Sequence, residues 1–172
     1  MPAREYARHA LIGIAPPQTN PVVEAEFSAL LPDGVGMLVT RLTGEADDAR
    51  TRFYEYIENL ETSLKAFGKA KIDAFGFSFT ATAYLEDVNQ DERLASMSEK
   101  VGYPILSSSQ AIRRALERLG AKRLALFSPY PDWLTELSEV YWTKKGYEVV
   151  SVATMPDDTM DTVNIYGLTT EG

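Results

Sequence analysis

Cysteine is absent from the 172 residues, and histidine occurs once, as His9. No disulfide, thiolate metal site or cysteine nucleophile can come from these residues. A Ser-His-Asp triad would have to recruit His9, which sits among charged residues just before the first apolar run and reads as incidental to chemistry. Positive charge is scarce as well: 17 Lys and Arg stand against 25 Asp and Glu, for a formal net charge of −8 and a pI near 4.7. That field repels nucleic acid and anionic membranes, so neither is expected as a partner, and a bound anion needs a local pocket. Long hydrophobic runs are missing. The apolar stretch at 10–15 is far below the roughly 18 residues of a membrane span, and no signal-peptide pattern accompanies it; a soluble cytoplasmic chain is expected. There is no Walker A loop, and Gly34-Val-Gly36 precedes a strand and lacks the third glycine of a dinucleotide fingerprint. No His/carboxylate cluster has metal spacing, and Asp157, Asp158 and Asp161 read as a helix opening, so no metal is expected.

What is present is ample apolar material, 45% hydrophobic and 10% aromatic, in a pattern of short strands alternating with helical stripes. A buried strand at 10–15 ends in Pro16-Pro17. Asn20 and Pro21 have the order of an N-cap and first helical residue, and Val23, Phe27 and Leu30 share a face until Pro32-Asp33-Gly34. After a strand at 35–40, Phe53, Ile57, Leu60, Leu64 and Phe67 form the stripe of one long helix over about 47–68. A third strand is predicted at 72–79, a polar helix at 89–100 and a short strand at 104–106. Ser107 and Gln110 have capping-box spacing, and Ile112, Ala115, Leu116 and Leu119 make the next helix face, closed by Gly120. A strand at 123–127, a helix opened by Pro131 through Trp133, Leu134, Leu137 and Tyr141, and a strand at 147–153 complete the series. Strict alternation implies parallel α/β sheets wound on both faces.

One regularity spans the chain. The segment 9–16, its helix, Gly34 and a strand match 122–129, a helix, Gly146 and a strand, with Pro16 against Pro129 and the register held within one residue. An internal duplication of a βαβ module follows, dividing the chain into a first α/β domain at 1–120 and the start of a second at 121–172. The counterpart of the long helix would begin near residue 159, and the next strand of the second sheet would fall beyond residue 172, leaving that sheet incomplete. An open edge and apolar surface favour association of copies into a homo-oligomer.

Ligands of open α/β sheets bind beyond the carboxyl ends of the strands. The loops expected there are 16–20, 80–82, 107–109 and 128–130, all rich in hydroxyls or amides. Three lead into helix N-termini, whose free N–H groups suit an anion, and a small carboxylate is the natural guest. For any single residue, helix capping is the plainer role; the convergence of four loops favours a shared site. Arg41 could pair a carboxylate at the end of strand two, although a salt bridge to the Glu45–Asp48 acidic cluster is the plainer reading.

The ordered set Pro16-Pro17-Gln-Thr19-Asn20-Pro21 with Glu24 and Glu26-Phe27, Thr40-Arg41, Phe79-Thr80-Ala-Thr-Ala83 and Ser128-Pro-Tyr130 covers nearly the whole chain. It resembles the maleate cis-trans isomerase and arylmalonate decarboxylase branch of the aspartate/glutamate racemase superfamily. The resemblance implies two pseudo-symmetric flavodoxin-like domains facing each other across a cleft, cofactor-independent chemistry, one catalytic cysteine position on each domain, and small dicarboxylates held by hydroxyl, amide and N–H donors. Carried over by position, it makes Asn20 a carboxylate or enolate donor, Thr80 part of the oxyanion loop and Tyr130 a hydroxyl donor, with Thr19, Ala81 and Thr82 beside them on the same loops. Phe79 falls where the isomerases and racemases carry their first cysteine, and Ala81 replaces a frequent hydroxyl residue, thinning the anion hole. Strand alternation turns Ser78 to the face opposite Phe79. Two functions follow: an isomerase or decarboxylase of small dicarboxylic acids whose thiol chemistry is missing from these residues, or a non-catalytic carboxylate-binding or dimerising α/β module.

Overall fold

A computed structural model describes residues 4–155 and Tyr166. The first sheet is four-stranded and all parallel, in the order β2-β1-β3-β4, built from β1 (Ala10–Ala15), β2 (Val35–Val39), β3 (Ala74–Phe77) and β4 (Ile105–Ser107). The second pairs β5 (Arg123–Ser128) with β6 (Glu148–Thr154), also parallel. The mixed α/β architecture with parallel sheets is thus the one expected from the alternation of elements.

β1 is central because its run Ala-Leu-Ile-Gly-Ile-Ala is apolar on both faces, as a parallel strand covered by helices requires. On one face, α2 (Ala49–Glu58), α3 (Leu60–Lys65) and α4 (Gln90–Val101) enclose Phe75 and Phe77, both buried. The approach there is close. A Cβ on Gly13 would lie 2.8 Å from Ile72 Cδ1 and 2.9 Å from Phe67 Cζ, so only glycine fits under the Phe67–Phe75 ring pair. On the other face lie α1 (Val23–Leu30) and α5 (Ser108–Arg118), with an apolar cleft of about 380 Å³ between them, lined by Ile12, Ile14, Phe27 and Leu106. α6 (Asp132–Lys144) joins the two sheets, its Leu134 and Trp142 buried in the common core.

Both βαβ units, β1-α1-β2 and β5-α6-β6, have parallel strands. Each βαβ unit re-enters its sheet through a glycine in the left-handed region, Gly34 at φ +83° before β2 and Gly146 at φ +91° before β6. The counterpart helix expected from about 159, and Asp157, Asp158 and Asp161, lie outside the described residues.

Several boundaries differ from the sequence expectation. The long helix is two: at Asn59 the backbone leaves helical geometry (ψ 6°), and the Asn59 side chain donates to Thr43 O at 3.0 Å. Phe53, Ile57, Leu60 and Leu64 are nevertheless all buried, because the break preserves the stripe. α1 starts at Val23, not Pro21, since Asn20 Oδ1 accepts from both Val22 N and Val23 N and holds the two preceding residues in a turn. The capping box of Ser107 and Gln110 is formed as predicted. The α5 face is not: Leu116 packs on the core, but Ile112 and Leu119 are exposed, because no described element covers that stripe. Leu30 of α1 is exposed for the same reason. No helix among the described residues is long and apolar enough to cross a membrane.

Candidate functional site

At the carboxyl ends of the strands a cavity of about 230 Å³ collects residues from all four expected loops: Thr19 and Asn20 after β1, Thr80 after β3, Ser108 after β4 and Tyr130 after β5. Each is held by its own local chemistry. Because Asn20 Oδ1 accepts from Val22 N at 2.8 Å and Val23 N at 3.0 Å, its carbonyl side is committed to the helix start and its Nδ2 remains the donor. Capping and ligand donation are therefore separate ends of one amide.

Tyr130 is fixed by the first turn of α6. Ser128 Oγ lies 2.6 Å from Thr135 Oγ1, Tyr130 N donates to Ser128 Oγ at 3.3 Å, and Thr135 Oγ1 donates to Tyr130 O at 3.1 Å. The Tyr130 hydroxyl then reaches Thr80 Oγ1 at 3.0 Å. Burial raises the Tyr130 phenol above its ordinary range, only partly offset by that bond, and the buried Tyr84 beside it is raised strongly for the same reason. Both phenols stay protonated donors at neutral pH.

Ala81 and Thr82 do not line this cavity. They begin the 3-10 turn at Ala81–Tyr84 and are fully buried, with Thr82 Oγ1 donating to Gln90 Oε1, whose amide donates to Ser109 Oγ at 3.3 Å. Ser109 Oγ in turn lies 2.9 Å from Ser107 Oγ, so this hydroxyl chain ties the turn after β3 to the start of α5. Phe79 lines the cavity, wedged edge-on against Phe53 (centroids 4.9 Å) and Tyr56 (5.6 Å). Ser78 lines it too, contrary to the alternation expected of a strand through 79: β3 ends at Phe77, and Phe79 N donates to Phe77 O at 2.9 Å in a tight turn. Arg41 is paired, but with Glu24 of α1 instead of the Glu45–Asp48 cluster, and it also donates to Asn20 O at 3.0 Å. α1 runs back past the end of β2 and brings Glu24 nearer. His9 lies at the opposite end of β1, over Gly34, with His9 N donating to Gly34 O at 2.9 Å.

The α2 wall was not read from sequence as part of a site. Arg52, Phe53 and Tyr56 face the cavity, as does Tyr166, whose phenol is raised by burial and partly restored by hydrogen bonds to Asn20 and Thr19. In the sequence Phe53 belongs to the core stripe, and no pattern separates Arg52 from the other basic residues. Among the described residues, no group of three or more His, Asp or Glu could hold a metal ion.

The family model for arylmalonate decarboxylase matches residues 12–169. Maleate isomerase of Geobacillus stearothermophilus is 26% identical over 157 residues, covering 83% of this chain and 62% of that protein. The chain thus spans less than two thirds of the length of this relative. Among solved structures, a Nocardia farcinica maleate cis-trans isomerase cysteine-to-serine mutant with a covalently bound succinylcysteine intermediate superposes with a TM-score of 0.75 at 21% identity, covering 87% of this chain and 66% of that one. Unliganded arylmalonate decarboxylase gives 0.70 at 21%, covering 86% and 61%. With the match running from within β1 to beyond β6, and the fold shared with both enzymes, the chain belongs to the arylmalonate decarboxylase family, in the maleate isomerase and arylmalonate decarboxylase branch of the aspartate/glutamate racemase superfamily.

Proposed function

We propose that the chain carries the carboxylate-binding half of a cofactor-independent isomerase or decarboxylase of small dicarboxylic acids. The observation that supports this best is the meeting of Thr19, Asn20, Thr80 and Tyr130 around one cavity, where no carboxylate side chain is found among the described lining residues. Neutral donors fixed by separate loops need no rearrangement when charge develops on a bound ligand, which is how preorganised donors lower a barrier. In decarboxylation, the C–C bond to one carboxylate breaks, carbon dioxide leaves, and the electron pair spreads into the remaining carboxylate as an enediolate. Asn20 Nδ2 and the one O–H that the Thr80–Tyr130 hydrogen bond leaves free are the donors assigned to that charge. The step that completes either reaction, protonation of the enediolate or addition to a double bond, calls for a thiol near neutral pKa. None of these 172 residues supplies one, and Phe79 occupies the first thiol position. In the same reading, residues 1–120 form the first α/β domain and 121–172 open its pseudo-repeat, and copies associate through their apolar surfaces.

Calorimetric titration of maleate against its neutral diamide tests the assignment. Saturable binding of maleate with no competition from the diamide is expected. Equal affinity for the two, or binding of neither, would remove the carboxylate site.

A further inference from the structure

We infer that Arg52 selects ligands with a second negative charge, by taking the carboxylate that the Asn20, Thr80 and Tyr130 donors do not hold. This rests on the carboxylate reading above and adds to it the reason a dianion would be preferred to a monoanion.

Among the described residues, Arg52 is the one charged side chain lining the cavity, in a chain whose net charge is −8. Its guanidinium is held in place by neutral acceptors: Nη1 donates to Ala46 O at 2.9 Å and Asp47 O at 2.8 Å. Carbonyls orient a guanidinium without cancelling its charge. The acids nearest in sequence accept from backbone N–H groups and form no ion pair with Arg52, although the Arg52 charge helps hold the Asp48 carboxyl low. Glu55 accepts from Glu45 N and Ala46 N at 2.7 and 3.0 Å, and Asp48 caps α2 by accepting from Thr51 N at 2.8 Å. Among the described residues Arg52 makes no ion pair, whereas Arg4, Arg41, Arg113 and Arg123 each have one.

An oriented guanidinium with no ion-pair partner among the described residues, beside a cavity of hydroxyls and aromatic rings, is matched by an anionic oxygen pair, which its planar fork binds bidentately. Arg52 stands on the α2 wall, whereas the hydroxyl and amide donors come from the loops after β1, β3 and β5. The rings of Phe53, Tyr56 and Phe79 line the same cavity and supply an apolar surface for the carbon skeleton of the ligand. The pattern fits a short dicarboxylic acid bound at both ends.

The test compares maleate with isocrotonate, which replaces one carboxylate by a methyl group, on wild type, Arg52→Gln and Arg52→Lys, by calorimetry with the full chain. Wild type should bind maleate at least about tenfold more tightly than isocrotonate, the factor expected for a hydrogen bond to a charged group. Arg52→Gln should lose that preference while leaving isocrotonate affinity within about twofold, and Arg52→Lys should recover part of it. If Arg52→Gln fails to fold, the wild-type ratio and the Lys variant still decide. Isocrotonate bound as tightly as maleate by wild type, or a preference that survives in Arg52→Gln, overturns the inference and leaves the carboxylate reading standing. Binding of neither ligand to wild type overturns both.

Discussion

Thr80 Oγ1 and Tyr130 OH lie 3.0 Å apart although 50 residues separate them, so the turn after β3 and the loop after β5 share one hydrogen bond at the cavity wall. That bond sets the spacing of the two hydroxyls before any ligand arrives and leaves one O–H of the pair free to donate. Tyr130→Phe removes one donor and leaves the ring in place. Maleate affinity is expected to fall by about 1.5–3 kcal/mol, the range for a hydrogen bond to a charged group, with stability reduced by no more than about 1 kcal/mol. Titration paired with urea unfolding measures both; unchanged affinity would show that the Tyr130 hydroxyl points away from the ligand.

The divided amide of Asn20 makes a sharper test than simple truncation. Asn20→Asp keeps an oxygen for Val22 N and Val23 N but replaces the donating nitrogen with a charged oxygen, so the fold should be retained and anion binding abolished. Asn20→Ala should lose both, at about 1 kcal/mol of stability. Denaturation midpoints that fall equally in the two variants would contradict this separation.

No thiol is present, so this chain should show no maleate isomerisation or racemisation. Phe79→Cys should place a thiol in the cavity at a cost of about 3 kcal/mol in lost ring packing against Phe53 and Tyr56. Its alkylation by iodoacetamide, followed by mass, should be slowed by maleate. Alkylation that ignores maleate would mean position 79 faces elsewhere, and robust isomerisation by the unaltered chain would require a hydroxyl or carboxylate to do the chemistry.

Glu61 lies between Lys100 at 2.7 Å and Lys65 at 3.0 Å, and these hydrogen-bonded ammonium groups pull its carboxyl from 4.5 down to about 2. A carboxylate with a depressed folded pKa stabilises the fold fully above its unfolded value and loses that contribution as pH falls through its folded value. Thermal midpoints of wild type and Glu61→Gln should therefore differ above pH 4.5 and converge as the pH approaches about 2. A gap that persists at pH 2 would rule out Glu61 as its source.

Local patterns with a backbone consequence were the legible ones. Ser107 and Gln110 announced their capping box, and the repeat of Pro16 and Gly34 by Pro129 and Gly146 foretold two βαβ units. The convergence of Asn20, Thr80 and Tyr130 followed from the rule that strand ends gather ligands. The break at Asn59 was hidden because its cause, the carbonyl of Thr43, is 16 residues away. The role of Thr82 was hidden likewise, since its partner Gln90 reaches it only after α4 has packed. Arg52 carries no local signal at all: whether a helix arginine meets water, an acid or a cavity depends on how the preceding loop folds over it.

The aromatic wall gives the protein an optical property. Of its two tryptophans, Trp133 sits 6.4 Å from the ring of Phe53, with the Arg50 guanidinium 5.2 Å over its indole, whereas Trp142 is buried and edge-on to Tyr141 and Tyr147. One indole thus lies against a cavity-lining ring and under the Arg50 guanidinium, while the other is packed among phenols. Emission excited at the indole band is expected to change with cavity occupancy through Trp133, and a Trp142→Phe variant isolates that indole. Maleate titrated into that variant with emission recorded checks this, and an unchanged spectrum would show that Trp133 does not sense the cavity.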